Sequence, residues 1–167
     1  MNVYQLNKKY EQNDSNGINT GINNYQIIIG NVPILFSASH AVKQYRNEAV
    51  KAADDMTGGI VEYITKTNDV YGITRTANLN DDPNYYNFGT SLEYKKQIIK
   101  LIEENNIKYF FDIHGCSNKN DFVMDIGING GINISNPKML EILHNELSKL
   151  GNVGVDTKFK ASLDGNI

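Results

Sequence analysis

Short apolar runs alternate along the chain with longer stretches of helical periodicity. "YQIIIG" (25–30) and "PILFSAS" (33–39) read as strands joined by a tight bend or hairpin at Gly30-Asn31. Residues 43–53 are polar and read as a loop or short helix. "MTGGIVEYITKT" then places Ile60, Val61 and Ile64 on one helical face. "VYGITR" (70–75) is a strand, and "ANLNDDPNYYNFG" (77–89) a loop marked by Asn, Asp, Pro and Gly. "TSLEYKKQIIKLIEENN" opens on a capping box of Thr90 with Glu93 and aligns Tyr94, Ile98, Leu101 and Ile102.

The pattern continues with strands at "IKYFFDI" and "DFVMDIG", separated from the next helix by the Gly-rich "DIGINGGINIS". That helix starts with Asn136 as N-cap and Pro137 at its first position. Met139, Leu140, Leu143, Leu147 and Leu150 face its core side, and Gly151 stops it. "VGVDT" is a last strand, with a turn at Gly165-Asn166. Strands alternating with helices predict an α/β domain over 24–167, with a mixed, largely parallel sheet. Residues 1–23, rich in Asn and Gly, are expected to be a flexible polar lead-in.

Composition narrows the function classes. The 167 residues carry a net charge of −3, which implies no attraction to nucleic acid. No run reaches the ~18 apolar residues of a membrane span, and no signal-peptide core opens the chain, so a cytoplasmic location is expected. The single cysteine, Cys116, excludes an internal disulfide. Ser37 and Ser39 lack a nucleophile-elbow context, and the glycines show no nucleotide-binding spacing.

The candidate chemistry sits at strand ends. His40 follows "PILFSAS" and His114 follows "KYFFDI", where parallel sheets present their ligand sites. Imidazole is a common zinc ligand, and two such histidines can converge if their strands are neighbours. Asp54 and Asp55 precede the first long helix; they serve either as a ligand, one of them at most, or as helix-entrance acids. Asp112 lies two residues before His114 on the same strand face, placed to support the imidazole. Arg75 ends a strand and suits a bidentate grip on a carboxylate. Asn78 and Asn80 either bind substrate or build the turn. His144, mid-helix, reads as an ordinary boundary residue.

Taken in order, "ILFSASHA" (34–41), "DDMTGGIVEYI" (54–64), "TRTANLND" (74–81), "FFDIHGC" (110–116) and "DFVMDIGINGG" (121–131) resemble the N-formylglutamate amidohydrolase family, relatives of the zinc carboxypeptidases. The resemblance covers about residues 25–160. It implies a three-layer α/β/α fold of the phosphorylase/hydrolase-like, zinc carboxypeptidase-like kind, incomplete at its C-terminal end.

It further implies one zinc ion held by His40, Asp55 and His114, with Asp54 and Glu48 as alternative third ligands. Arg75 and Asn80 would then hold the carboxylate end of a small-molecule or peptide substrate; Asn78, from its residue type, is a further candidate, and the composition calls for no nucleic acid or membrane partner. The implied activity is hydrolysis of amide or peptide bonds. The alternative is a catalytically degenerate or incomplete ligand-binding domain. Two departures bear on this. Asp81 stands where the family carries a basic anchor, and the late proton-shuttling Glu of the carboxypeptidases has no counterpart in the chain.

Overall fold

The structure is a computed structural model, which describes residues 2–18, 24–117 and 119–161. The chain forms two compact units, Met1–Gly115 and Cys116–Gly165, where the sequence pattern predicts one domain over 24–167.

The first unit is built on a four-stranded sheet of order β1-β5-β2-β6. Strands β2 (Val32–Ala38), β5 (Val70–Arg75) and β6 (Tyr109–Asp112) are parallel, and β1 (Tyr25–Ile28) runs antiparallel on the β5 edge. Of the tight bend or hairpin expected at Gly30-Asn31, the hairpin is therefore absent and a bend remains at Asn31. Strand β5 lies between β1 and β2, and the Asn31 and Val32 N–H groups donate to Asp69 O instead. A two-residue Gly-Asn link reads as a hairpin locally, and only the later strand shows otherwise.

Side chains on alternate sides of the sheet build two cores. On one face Leu35, Tyr71 and Ile73 pack with Tyr94, Ile98 and Leu101 of helix α4 (Gly89–Glu104). The other face holds Ala38, Ala41, Val42 and Tyr10 against Val61 of helix α3 (Thr57–Asn68). Gly72 lies under α3, where a Cβ would sit 2.5 Å from Thr65 Cγ2.

Helix α4 does not use the predicted capping box. Phe88 is its N-cap without a side-chain bond, and Thr90 Oγ1 donates to Asp81 Oδ2 at 2.7 Å. Residues expected to be a loop or short helix form a hairpin, β3 (Gln44–Arg46) with β4 (Ala49–Lys51).

The flexible lead-in is also corrected over its described residues. Val3–Asn7 form helix α1, with a capping box between Asn2 and Gln5, and α2 (Gln12–Ser15) is a short turn whose Asn13 and Asp14 have left-handed dihedrals. Tyr10 is fully buried, and its hydroxyl donates to Glu62 Oε1 (2.6 Å). Glu62 in turn pairs with Lys9 and Lys66. A polar composition concealed this single anchoring aromatic.

In the second unit β7 (Met124–Ile126) pairs in parallel with β8 (Val153–Val155), joined through helix α5 (Pro137–Leu147). Asn136 caps α5 and Pro137 opens it, as the sequence predicts. Met139, Leu140, Leu143 and Leu147 are half-buried, but Leu150 is exposed, because the helix ends before it. The turn expected at Gly165-Asn166 lies outside the described residues. Among the described residues, no helix is long and apolar enough to cross a membrane.

Candidate metal centre

Neighbouring parallel strands β2 and β6 end side by side, with Ser37 opposite Asp112 in register. Each chain continues two residues past its strand to a histidine. The sheet thus delivers His40 and His114 to one place, their ring centroids 4.7 Å apart and inclined at 74°.

The carboxylate that meets them is Asp54. Its backbone N–H donates to His40 O at 2.8 Å, which ties the approach to α3 against the end of β2. Its Oδ2 lies 3.5 Å from His40 Nδ1 and 2.8 Å from His114 Nδ1. Asp55, the expected third ligand, is exposed and outside this cluster, as is Glu48 at the tip of the β3–β4 hairpin. The turn into α3 makes the choice. Thr57 Oγ1 and N–H both bond to Asp54 O, and Met56 takes a left-handed φ of 66° as N-cap. One ligand atom from each of His40, Asp54 and His114 lies within 4.8 Å of the others, an arrangement that can hold a metal ion.

The far nitrogens of both rings face carboxylates. His114 Nε2 is 2.9 Å from Asp112 Oδ2, and His40 Nε2 is 2.9 Å from Asp82 Oδ1. A carboxylate on the outer nitrogen fixes the ring and keeps the inner nitrogen available to a metal. Asp112 is itself held by Ser37 Oγ on Oδ1 and by Ser39 Oγ (3.4 Å) and Asn84 Nδ2 (3.4 Å) on Oδ2. Asp82 is fully buried, accepts from Asn84 N–H at 2.9 Å, and has Arg46 Nη1 3.3 Å from its Oδ2.

This density of acids sets the charge of the histidines. Burial disfavours the charged His114 ring, but Asp112 and Asp54 outweigh it and push its pKa up to about 10. Burial likewise opposes the charged form of His40, and Asp54 and Asp82 reverse that, raising its pKa. Burial would raise the pKa values of Asp54 and Asp82, yet hydrogen bonds from the histidines hold both below the usual carboxylate range. Without a metal, a cationic His114 imidazole offsets the acids; a divalent cation fits the same charge pattern.

Comparison of the chain with protein-family models, curated proteins and solved structures finds no match. The site must be judged on its own geometry. Two imidazole nitrogens and one carboxylate oxygen, with a supporting carboxylate behind each ring, form a donor set that can hold a metal ion.

The expected substrate residues fall elsewhere. Arg75 is buried at 1% exposure, with Nη2 2.6 Å from Asp81 Oδ1 and 3.1 Å from Ala77 O. Oriented with its amide oxygen toward the guanidinium, Asn24 accepts from Nη2 (2.9 Å) and Nε (3.1 Å). An arginine so engaged holds the loop and cannot clamp a substrate carboxylate. Asn78 builds the turn, accepting from Asn80 N–H (2.9 Å) and donating to Asn16 Oδ1 (2.9 Å). Asn80 is exposed with a φ of 57°. His144 stays on α5, in the second unit.

Sequence reasoning missed Asp82. The signal was the rule already applied to His114: a metal-binding histidine needs an acceptor on its other nitrogen. For His114 the acceptor lies two residues away, while for His40 it comes from a distant loop.

Proposed function

We propose that the chain is a zinc-dependent hydrolase of amide or peptide bonds, acting on N-acyl amino acids or peptides. The reading places it on the zinc carboxypeptidase-like fold that the resemblance to N-formylglutamate amidohydrolases implies. The observation that carries it is the convergence of His40 Nδ1, Asp54 Oδ2 and His114 Nδ1, with each histidine backed by its own carboxylate. Zinc held there supplies a Lewis acid and lowers the pKa of its water.

The chain's own residues orient and tune. Asp82 and Asp112 hold the two rings by Nε2, Ser37 and Asn84 hold the carboxylates, and Asp54 contributes the anionic donor. His114, with its side chain 36% exposed, leaves the centre open to solvent on its side, as a catalytic rather than a closed structural site requires.

A second reading, a ligand-binding domain without turnover, is supported by one observation. Asp82 and Asp112 are both engaged by histidines, and Asp54 faces both rings, so none of the three is spare to move protons. A panel of N-acyl amino acids and short peptides, assayed with zinc-loaded protein, separates the two. Turnover lost on His114→Ala supports the hydrolase; binding of the same compounds without turnover supports the second reading.

A further inference from the structure

Strand β3 grips both members of the His40–Asp82 pair with three successive residues. The buried Gln44 donates from Nε2 to His40 O at 3.3 Å, the carbonyl that also accepts the Asp54 N–H. The Tyr45 N–H donates to Asp81 O at 3.1 Å, one residue before Asp82. Arg46 Nη1 lies 3.3 Å from Asp82 Oδ2. Asn47 and Glu48 turn the hairpin with φ values of 51° and 58°, the left-handed pair that a two-residue link favours, so Arg46 is fixed opposite Ala49.

The two oxygens of Asp82 are unequally held. Oδ1 accepts the Asn84 N–H and meets His40 Nε2, both at 2.9 Å. Oδ2 is buried and accepts no hydrogen bond. Among the described residues, Arg46 is the basic side chain within ion-pair distance of it. A carboxylate gripped by one oxygen can turn about that contact, and any turn moves the ring that leans on it. A guanidinium on the second oxygen stops the turn. The Arg46 guanidinium carbon lies 5.9 Å from the Tyr85 ring centroid, and an aromatic face restrains the plane of the fork. On the other side of the centre, Asp112 is held at both oxygens, by Ser37 on Oδ1 and by Ser39 and Asn84 on Oδ2. On the His40 side the guanidinium takes that place.

Resting on the metal-centre reading, we propose that Arg46 is a positioning residue: it holds Asp82 by Oδ2, and Asp82 in turn holds His40 with Nδ1 toward the metal. Arg46 itself touches neither metal nor substrate in this role. An arginine so placed has two opposite effects. Its charge repels the ion, and its grip on Asp82 orders a donor. The grip outweighs the repulsion, because the Asp82 carboxylate at 3.3 Å offsets the charge.

The test is a double-mutant cycle on the full chain, with zinc affinity measured against a competing chelator. Arg46→Gln should weaken zinc binding by about tenfold, within the usual loss when such a support is disturbed. Arg46→Lys should recover part of it. In the Asp82→Asn background, Arg46→Gln should change the affinity by less than about twofold, whereas with Asp112→Asn the two losses should multiply. The visible bands of the cobalt(II)-loaded protein, which report coordination geometry, should shift in Arg46→Gln. Zinc bound by Arg46→Gln as tightly as by the wild type, or more tightly, overturns the proposal, since only the repulsion would then be at work. The same loss in the Asp82→Asn background also overturns it, and with a lowered urea midpoint of the metal-free variant it marks a general scaffold residue. Both of these results leave the metal site standing. A wild type that takes up no zinc removes the metal-centre reading, and the proposal with it.

Discussion

Asp82 Oδ1 lies 2.9 Å from His40 Nε2, although the two residues are 42 positions apart in the chain and Asp82 is fully buried. Asp82→Asn keeps the shape and removes the charge that orients the ring. Metal affinity should fall by about 10–100-fold, the usual loss when such a support is removed. A zinc titration against a competing chelator measures it, and an unchanged affinity would show that Asp82 only fills space.

Gly115 follows His114 and passes close to Asp54. A Cβ on Gly115 would lie 3.1 Å from Asp54 Cβ and 3.2 Å from its Cα, tighter than ordinary contact. Gly115→Ala should displace Asp54 and weaken metal binding several-fold, with little change in the metal-free unfolding midpoint. The two readouts together separate a local displacement from general destabilisation.

Asp81 neutralises the buried Arg75 and accepts from Thr90 and Ser91 at 2.7 Å each. Burial would raise its pKa, but Arg75 and these hydroxyls hold it low. Asp81→Ala leaves the guanidinium uncompensated and should cost about 3–5 kcal/mol in urea unfolding. In the wild type this contribution is present above the unfolded carboxyl pKa of about 3.9 and is lost as pH falls through the lower folded value. An Asp81→Ala protein as stable as the wild type would mean that Arg75 is not held by this pair.

The metal-free protein should also respond to alkaline pH. The folded pKa of His114, about 10, lies above the unfolded value. Its stabilising charge is fully present below an unfolded pKa of about 6.5 and disappears as pH rises through the folded value. Unfolding in chelator should therefore become easier across that window. Zinc needs the neutral nitrogen, so binding should release protons, read as a buffer-dependent heat in calorimetry. Binding heats independent of buffer would contradict a charged, metal-free His114.

The two histidines were legible because an imidazole just beyond the end of a parallel strand declares its own position; neither needed a long-range contact to be singled out. The choice of Asp54 over Asp55 was not, since it depends on the left-handed Met56 and on Thr57 reaching back to Asp54 O. Asp82 and Arg75 depend on how the loop after β5 folds. An arginine at a strand end looks available until the acid six residues later takes it. The strand order was hidden for a related reason. The link at Gly30-Asn31 is locally indistinguishable from a hairpin, and the insertion of β5 is a property of the whole sheet.

The most direct measurement is the zinc content of the purified full chain and of four variants after equilibration with the metal. Near-stoichiometric zinc is expected in the wild type and in Asp55→Ala. It should be lost in His40→Ala, His114→Ala and Asp54→Ala, since these three supply the converging donor atoms. A wild type that takes up no zinc, or histidine variants that hold it as well as the wild type, would contradict the account.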